Sequence, residues 1–384
     1  MKAIINGKIV MPDCLIEGKA LLFDKKIAGV CDVEAVINDA TIEKIDAKGN
    51  YVAPGLVDMH IHGYLGEDAS DGSADGIRKM GEGVVKNGVT SWLPTTMTVS
   101  YEELEKVFVM MRELRAESEQ EDYKGAQILG INAEGPFINP SKKGAQAGEH
   151  IKPADAAFLK KYADVIRVFT IAPEMPGNLE VIEEIRRDTD LQISMGHTGA
   201  TYEQAMEGIA KGVGHTTHLF NAMTPLAHRD PGVVAAALGS KNVSTELIAD
   251  TFHVHPGLFQ LVAEIKGNKL VLITDCTRAG GLPDGEYTLG GQPIFVKGIE
   301  CRLADGTIAG SVLKLNNAVG NVLRNTTLPV WQVVRMASLN PAEAIGADKE
   351  KGSLCPGKDA DVIIADADFN ILATYIGGSC KYTA

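Results

Sequence analysis

The chain has no apolar run that approaches a membrane span. Its longest candidate, Val233–Leu238, falls far short of the roughly 20 residues a bilayer helix requires. Positive charge is also scarce. Lys and Arg number 37 against 50 Asp and Glu, a formal net charge of −13. That balance argues against a nucleic-acid binder or a polybasic membrane-surface protein, so neither partner is expected. It still allows an anionic small molecule, because a small cationic pocket can sit in an acidic shell. Aromatic residues reach only 5%, and no stacking platform for a sugar-binding module without chemistry is apparent. The six cysteines (Cys14, Cys31, Cys276, Cys301, Cys355 and Cys380) include no pair spaced as a CxxC motif or zinc knuckle. They read as reduced thiols. In Met1–Pro12, Gly7 and Lys8 interrupt the apolar run that a signal peptide needs, so the cytoplasm is the expected location.

What is present is a 45% apolar chain of 384 residues, long enough for a large core. At about 150 residues per domain this gives two or three units, and a barrel that absorbs about 250 residues makes two the better expectation. The two ends resemble each other. Short β-type runs at Ala3–Ile5, Lys8–Val10, Ala20–Phe23 and Lys26–Cys31 are separated by turn pairs such as Asn6-Gly7. Similar runs return at Asp361–Ala365 and Ile371–Tyr375. Neither end can bury a core alone. Residues 1–53 and 350–384 are therefore expected to form one composite small β domain, with 54–349 as the larger unit.

The middle alternates strand and helix. Strand-like runs fall at Leu56–His62, Val89–Thr95, Gln127–Glu134, Ile166–Ala172, Leu191–His197, Gly214–Leu219, Ser244–Asp250 and Leu270–Asp275. Helical spacing lies between most of them. Ser100 and Glu103 form a capping box ahead of Leu104, Val107, Phe108, Met111 and Leu114. Eight βα units imply an α/β fold with a parallel sheet closed into a (β/α)8 TIM-type barrel. The Gly- and Pro-rich stretch Gly280–Ala309 breaks the rhythm and reads as a hairpin-like β insertion after the eighth strand.

Barrels of this kind carry their sites at the carboxyl ends of the strands, and residues of ligand type gather there. His60 and His62 end the first strand, Glu134 the third, His197 the fifth, His218 the sixth and Asp275 the eighth. The two imidazoles of His60-Ile61-His62 share one face, because strand side chains alternate with period two, so both can reach one cation. Glu134 precedes Gly135-Pro136, which permits a sharp turn and close backbone approach. A buried carboxylate is costly unless it is paired or bound to metal. With His197 and His218 it makes a two-His, one-carboxylate set that leaves a position for water, as in an open zinc site. Asp275 follows four residues of strand and is the candidate general base, then general acid. Metal ligation alone or a helix cap are the bland alternatives. His215 lies on the opposite face from His218 and reads as structural. Of His253 and His255, at most one should matter. A His and an Arg on loops above a metal site suit an anion such as phosphate. His228-Arg229 offers that pair, with a surface ion pair as the plain alternative for Arg229.

The segment Pro54-Gly55-Leu56-Val57-Asp58-Met59-His60-Ile61-His62-Gly63 resembles the entry motif of the amidohydrolase superfamily. Four further segments resemble its N-acetylglucosamine-6-phosphate deacetylase family: Ala133–Phe137 with Lys142–Ala145, Gly196–Thr198, Thr217–Met223, and Gly281–Gly285 after Thr274-Asp275. The resemblance runs from about residue 1 to 358 or beyond. It implies a barrel with a small β-sandwich made from both termini. It also implies that Glu134, His197 and His218 hold a principal metal, with Asp275 as catalytic acid/base. Because His60 and His62 are retained, one or two divalent metals are expected, with Glu134 in the role of the bridging lysine of other amidohydrolases. Zinc is taken first, although iron, manganese and cobalt suit these ligands equally. Substrate contacts are implied for Ala145, Asn221, Ala222 and the backbone of Ile308, Ala309 and Gly310. Arg229 and His253 match the binders of the 6-phosphate, which in the family lies at the interface of a homodimer. Two positions depart from the pattern. Gln146 stands where many members have His, and Thr251 stands where Asp-Gly-x-His is usual; both lie on the substrate side. The implied reaction is hydrolysis of N-acetylglucosamine 6-phosphate to glucosamine 6-phosphate and acetate. The alternative is another N-acyl sugar phosphate or an N-acyl amino acid. A dead barrel kept as an assembly partner would have lost a ligand or the acid/base, and none is missing.

Overall fold

Apolar runs between residues 56 and 273 are buried on both faces, as strands covered by helices must be, and they pair in parallel. The computed structural model describes residues 1–384. Its barrel strands are Leu56–Ile61, Val89–Thr96, Ile131–Phe137, Ile166–Ile171, Gln192–Met195, His215–Thr216, Ser244–Ile248 and Leu270–Ile273. Each pairs with the next in chain order, with registers such as Thr95 opposite Asn132 and Ile248 opposite Ile273. The first and last strands meet through a bridge between Ile61 and Cys276 and the bond from Asp275 N–H to the His60 carbonyl, 2.9 Å. A buried Asp58 carboxylate staples the seam by accepting the Thr274 hydroxyl at 2.7 Å. The chain is thus a (β/α)8 barrel with a small β-sandwich.

Helices cover the barrel where the apolar spacing is helical. Tyr101–Ser118 begins at the capping box of Ser100 and Glu103 and buries Leu104, Val107, Phe108, Met111 and Leu114. No helix is long and apolar enough to cross a membrane. Several expected strands end early, and three of them stop two residues before a ligand-type side chain. The fifth, sixth and eighth ladders stop at Met195, Thr216 and Ile273, short of His197, His218 and Asp275. The reason is local: those three residues have φ of 46°, 29° and 51°, a left-handed conformation that cannot continue a ladder. The third strand is split into Gln127–Ile128 and Ile131–Phe137 around Gly130, and it continues past Glu134 rather than ending there.

The expected hairpin-like insertion is a three-stranded antiparallel sheet, Gly285–Leu289, Gln292–Lys297 and Glu300–Leu303. Leu289, Ile294 and Cys301 pack it against Met97, Ala145 and Ala309. The terminal segments form two sheets. One holds strands from residues 2–5, 19–23, 27–32 and 43–46; the other orders 379–383, 371–376, 362–365, 51–54, 8–10 and 15–16. Between them lie Ile4, Ile9, Leu21, Phe23, Val52, Val362 and Ile364. Residues from both ends thus fill one small core. Tyr51–Pro54 leads through Gly55 straight into the first barrel strand, so this sheet anchors the strand that carries His60.

Candidate active site

Two residues beyond each of the fifth, sixth and eighth strands stands a left-handed residue bearing a ligand-type side chain. Phe220 and Ala222, with φ of 79° and 50°, extend the strained region around the same mouth, whereas Thr251, expected on the substrate side, lies outside the cavity lining. Such backbone costs of order 1–3 kcal/mol per residue and persists where surrounding structure fixes it. The loops it makes close over a cavity of about 430 Å³. Glycine is required beside Glu134. Gly135 has φ of 95°, and a Cβ there would stand 2.0 Å from Thr98 Oγ1.

Glu134 is buried at the centre and faces two pairs of imidazoles. Its Oε1 lies 3.2 Å from His197 Nε2 and 2.9 Å from His218 Nε2. Its Oε2 lies 3.1 Å from His62 Nε2, and Oε1 is 3.5 Å from His60 Nε2. His60, His62 and Glu134 form one potential cation site, and Glu134, His197 and His218 form another. Asp275 Oδ1 sits 3.2 Å from His62 Nε2 and 3.5 Å from His60 Nε2.

The outer nitrogens decide what the inner ones offer. A carbonyl oxygen only accepts, so His197 Nδ1–H donates to the Lys142 carbonyl at 2.8 Å. Likewise His62 Nδ1–H donates to the Thr95 carbonyl at 3.1 Å. A neutral ring in either place then turns a lone pair toward a carboxylate oxygen, an arrangement that repels unless a cation lies between. The donor set therefore fits a divalent metal.

The electrostatics agree. Burial pushes the Glu134 carboxyl up, but His60 and His197 outweigh it and hold it well below the usual range. For Asp275, burial is likewise outweighed by the hydrogen bond with His62 and the charge of His60, and its carboxyl is lowered. Burial depresses His60, yet Glu246 and Glu134 raise it to about 9. His62 is raised well above its ordinary value, because Asp275 and Glu134 overcome its burial. These rings favour a positive charge, as proton or metal, over neutrality.

Of the expected substrate residues, Ala145, Gln146, Asn221, Ala222, His253, Ile308 and Gly310 line the cavity. Ala309 does not: it is fully buried in the small cluster behind it. Gln146 accepts from Thr98 N–H and donates through Nε2 to Glu134 Oε2, both at 2.6 Å, so it touches the carboxylate directly. His253 Nδ1–H donates to Asp250 Oδ2 at 2.6 Å. Arg229 is exposed and is not in the lining of its own chain's cavity. His215 is buried away from the cavity against Ser194 Oγ, 2.9 Å, while His255 only caps a short turn through Gly257 N–H. Sequence reasoning missed Glu246, buried in the seventh strand 2.9 Å from His60 Nδ1. The available signal was weaker than for Asp275, an acid inside the strand-like run Ser244–Asp250, where Ser244 and Thr245 precede it.

A closed parallel barrel with histidines and a shared carboxylate at the carboxyl ends of its strands defines a class. The chain belongs to the amidohydrolase family, which matches residues 51–382. It is 39% identical over 334 residues to an N-acetylglucosamine-6-phosphate deacetylase of Bacillus subtilis (strain 168), covering 86% of this chain and 84% of that protein. It is 34% identical over 368 residues to an N-acetylgalactosamine-6-phosphate deacetylase of Escherichia coli O157:H7, covering 95% and 96%. The crystal structure of the N-acetylglucosamine-6-phosphate deacetylase from Pasteurella multocida superposes with a TM-score of 0.93 at 33% identity over 100% of both chains. Within the family it groups with the N-acetylglucosamine-6-phosphate deacetylases, hydrolases of carbon–nitrogen amide bonds.

Proposed function

We propose that this site removes the acetyl group of N-acetylglucosamine 6-phosphate, giving glucosamine 6-phosphate and acetate. The observation that carries the reading is Asp275, fixed beside the His60–His62 pair, which shares Glu134 with His197 and His218, on the wall of a cavity of about 430 Å³. In this reading Glu134, His197 and His218 hold one divalent cation, and His60 and His62 share Glu134 in holding a second. When bound, such a cation acidifies water and polarises the amide carbonyl.

The rest falls to the chain. Asp275 is held on both sides, since its N–H donates to the His60 carbonyl at 2.9 Å and its carbonyl accepts from Ser311 N–H at 2.8 Å. Its carboxylate takes a proton from the attacking water and returns it to the departing nitrogen. Without that proton the amine would have to leave as an anion, so base and acid are one group. Asn221 spends its amide on the His218 and Leu219 carbonyls, both 3.2 Å away, leaving its oxygen for the sugar. His253 and Lys142 line the cavity and are the side chains offered to the 6-phosphate, with Lys142 supplying the cationic charge. Arg229 is free to complete the cavity of a second copy in a homodimer. The proposed setting is the cytoplasm, in keeping with six unpaired cysteines.

The test is acetate release from N-acetylglucosamine 6-phosphate, its galactose epimer and unphosphorylated N-acetylglucosamine, with and without a chelator. Chelator-sensitive turnover confined to phosphorylated sugars is expected. The Escherichia coli relative makes the epimer a necessary arm. No acetate from any of the three in metal-loaded protein would overturn the reading.

A further inference from the structure

Glu246 is a carboxylate with no solvent exposure, in the middle of the seventh barrel strand. Burying an isolated carboxylate is costly, and no Lys or Arg pairs with it. Its Oε2 does two things at once. It accepts the His60 Nδ1–H at 2.9 Å and the His218 backbone N–H at 2.9 Å. The Glu246 carbonyl also accepts the Leu219 N–H at 2.9 Å. The residue therefore grips one member of each potential cation site, His60 of the first and His218 of the second. Its other oxygen, Oε1, has no hydrogen-bond partner; His215 Nε2, also unpartnered, is 3.9 Å away.

An apolar residue would fill this position more cheaply if packing were its only task, since buried charges rarely favour stability. What an apolar residue cannot do is fix the His60 ring. Thr95 orients His62 and Lys142 orients His197 through backbone carbonyls, which are neutral acceptors. His60 alone among the four inward-facing rings has a carboxylate behind it. A carboxylate fixes the tautomer with Nε2 inward, makes that nitrogen more basic and adds negative charge beside the cation.

We propose that Glu246 is the positioning residue that makes the His60–His62 half of the site able to hold a second divalent cation, and that it acts through His60. This rests on the two-cation reading above. The test counts bound zinc by plasma mass spectrometry after loading and dialysis, and titrates the second ion, in wild type, Glu246→Ala, Glu246→Gln, His60→Ala and the double variant His60→Ala/Glu246→Ala. Wild type should carry two zinc ions per chain and Glu246→Ala one. Glu246→Gln keeps an acceptor without the charge, so its second ion should remain but bind about 10–100-fold more weakly. His60→Ala should lose the same ion, and adding Glu246→Ala should change zinc binding no further. Two ions at wild-type affinity in Glu246→Ala would overturn the proposal while leaving the two-cation reading intact. One ion in wild type would overturn both. If Glu246→Ala does not unfold cooperatively by circular dichroism, Glu246→Gln decides, and an unchanged second affinity there overturns the proposal.

Discussion

At the scale of single residues, the chemistry depends on backbone that a ladder would forbid. His197, His218 and Asp275 each leave the sheet in a left-handed turn, and that turn carries the side chain over the barrel mouth. The ligand-type residues were legible in the sequence because an acid or imidazole after an apolar run needs a reason. Their backbone was not legible, because nothing in His or Asp marks a left-handed position as Gly does. Gln146 shows the same limit from the other side. Its place on the cavity wall was expected from the sequence, but its 2.6 Å contact with Glu134 is visible only in three dimensions. Asp275 carries the sharpest expectation at this scale. Asp275→Asn keeps the shape and removes the proposed proton carrier, so acetate release should fall about 10²–10⁴-fold while metal content by mass spectrometry stays at the wild-type value. Near-normal turnover would remove Asp275 from the proposed role.

At the scale of elements, existence was easier to read than extent. All eight barrel strands were visible as strand-like runs, and the helix Tyr101–Ser118 was visible from its start signal and its buried stripe. The insertion was read as hairpin-like, but Arg302 and Cys301 pair with Phe295 and Val296 to add a third strand. The Gly- and Pro-rich composition that marked a break in the barrel does not count strands. The capping box allows an isolated check. Ser100 Oγ accepts the Glu103 N–H at 3.3 Å, and the Glu103 carboxylate accepts the Ser100 N–H at 2.9 Å. Ser100→Ala should lower unfolding free energy by about 1 kcal/mol in a urea titration, with acetate release unchanged. A loss of activity at constant stability would mean that this helix does more than cover the barrel.

At the scale of the whole molecule, one buried cation ties the late chain together. Lys351 Nζ lies 2.9 Å from Asp359 Oδ2 and 2.8 Å from Asp361 Oδ2, and its side chain is only 4% exposed. Burial pulls the lysine down, but Asp361 and Asp359 outweigh it and raise it above its ordinary value. Asp359 is lowered, because Lys351 overcomes its burial. The signs give a window. The contribution of Asp359 is present above its unfolded value near 4 and is lost as pH falls through its lower folded value. That of Lys351 is present below about 10.4 and is lost as pH rises through its higher folded value. Lys351→Met should cost about 3–5 kcal/mol, the penalty for stranding the buried Asp361 carboxylate, since Asp359 keeps its ion pair with Lys26 at 2.6 Å. It should also flatten the acid limb of a plot of melting temperature against pH. An unchanged acid limb would remove the pair from this role. Pairing of the two chain ends was legible because neither end had enough apolar residues to close a core. The triad was not, since Lys351, Asp359 and Asp361 look like ordinary surface charge in sequence.

The sheet shared by the chain ends also sets an order of events on the ribosome. Residues 51–54 pair on one side with 8–10, which are made just before them, and on the other with 362–365, which are made only after the entire barrel. At about 5–20 residues per second, the wait between those two neighbours is on the order of tens of seconds. Throughout it the nascent amino-terminal strands present an open edge, with Val52 and Ile9 lacking their later cover. The strand that delivers His60 is therefore anchored last, and a chain stalled before residue 362 would hold every proposed metal ligand while lacking the clamp behind the first of them.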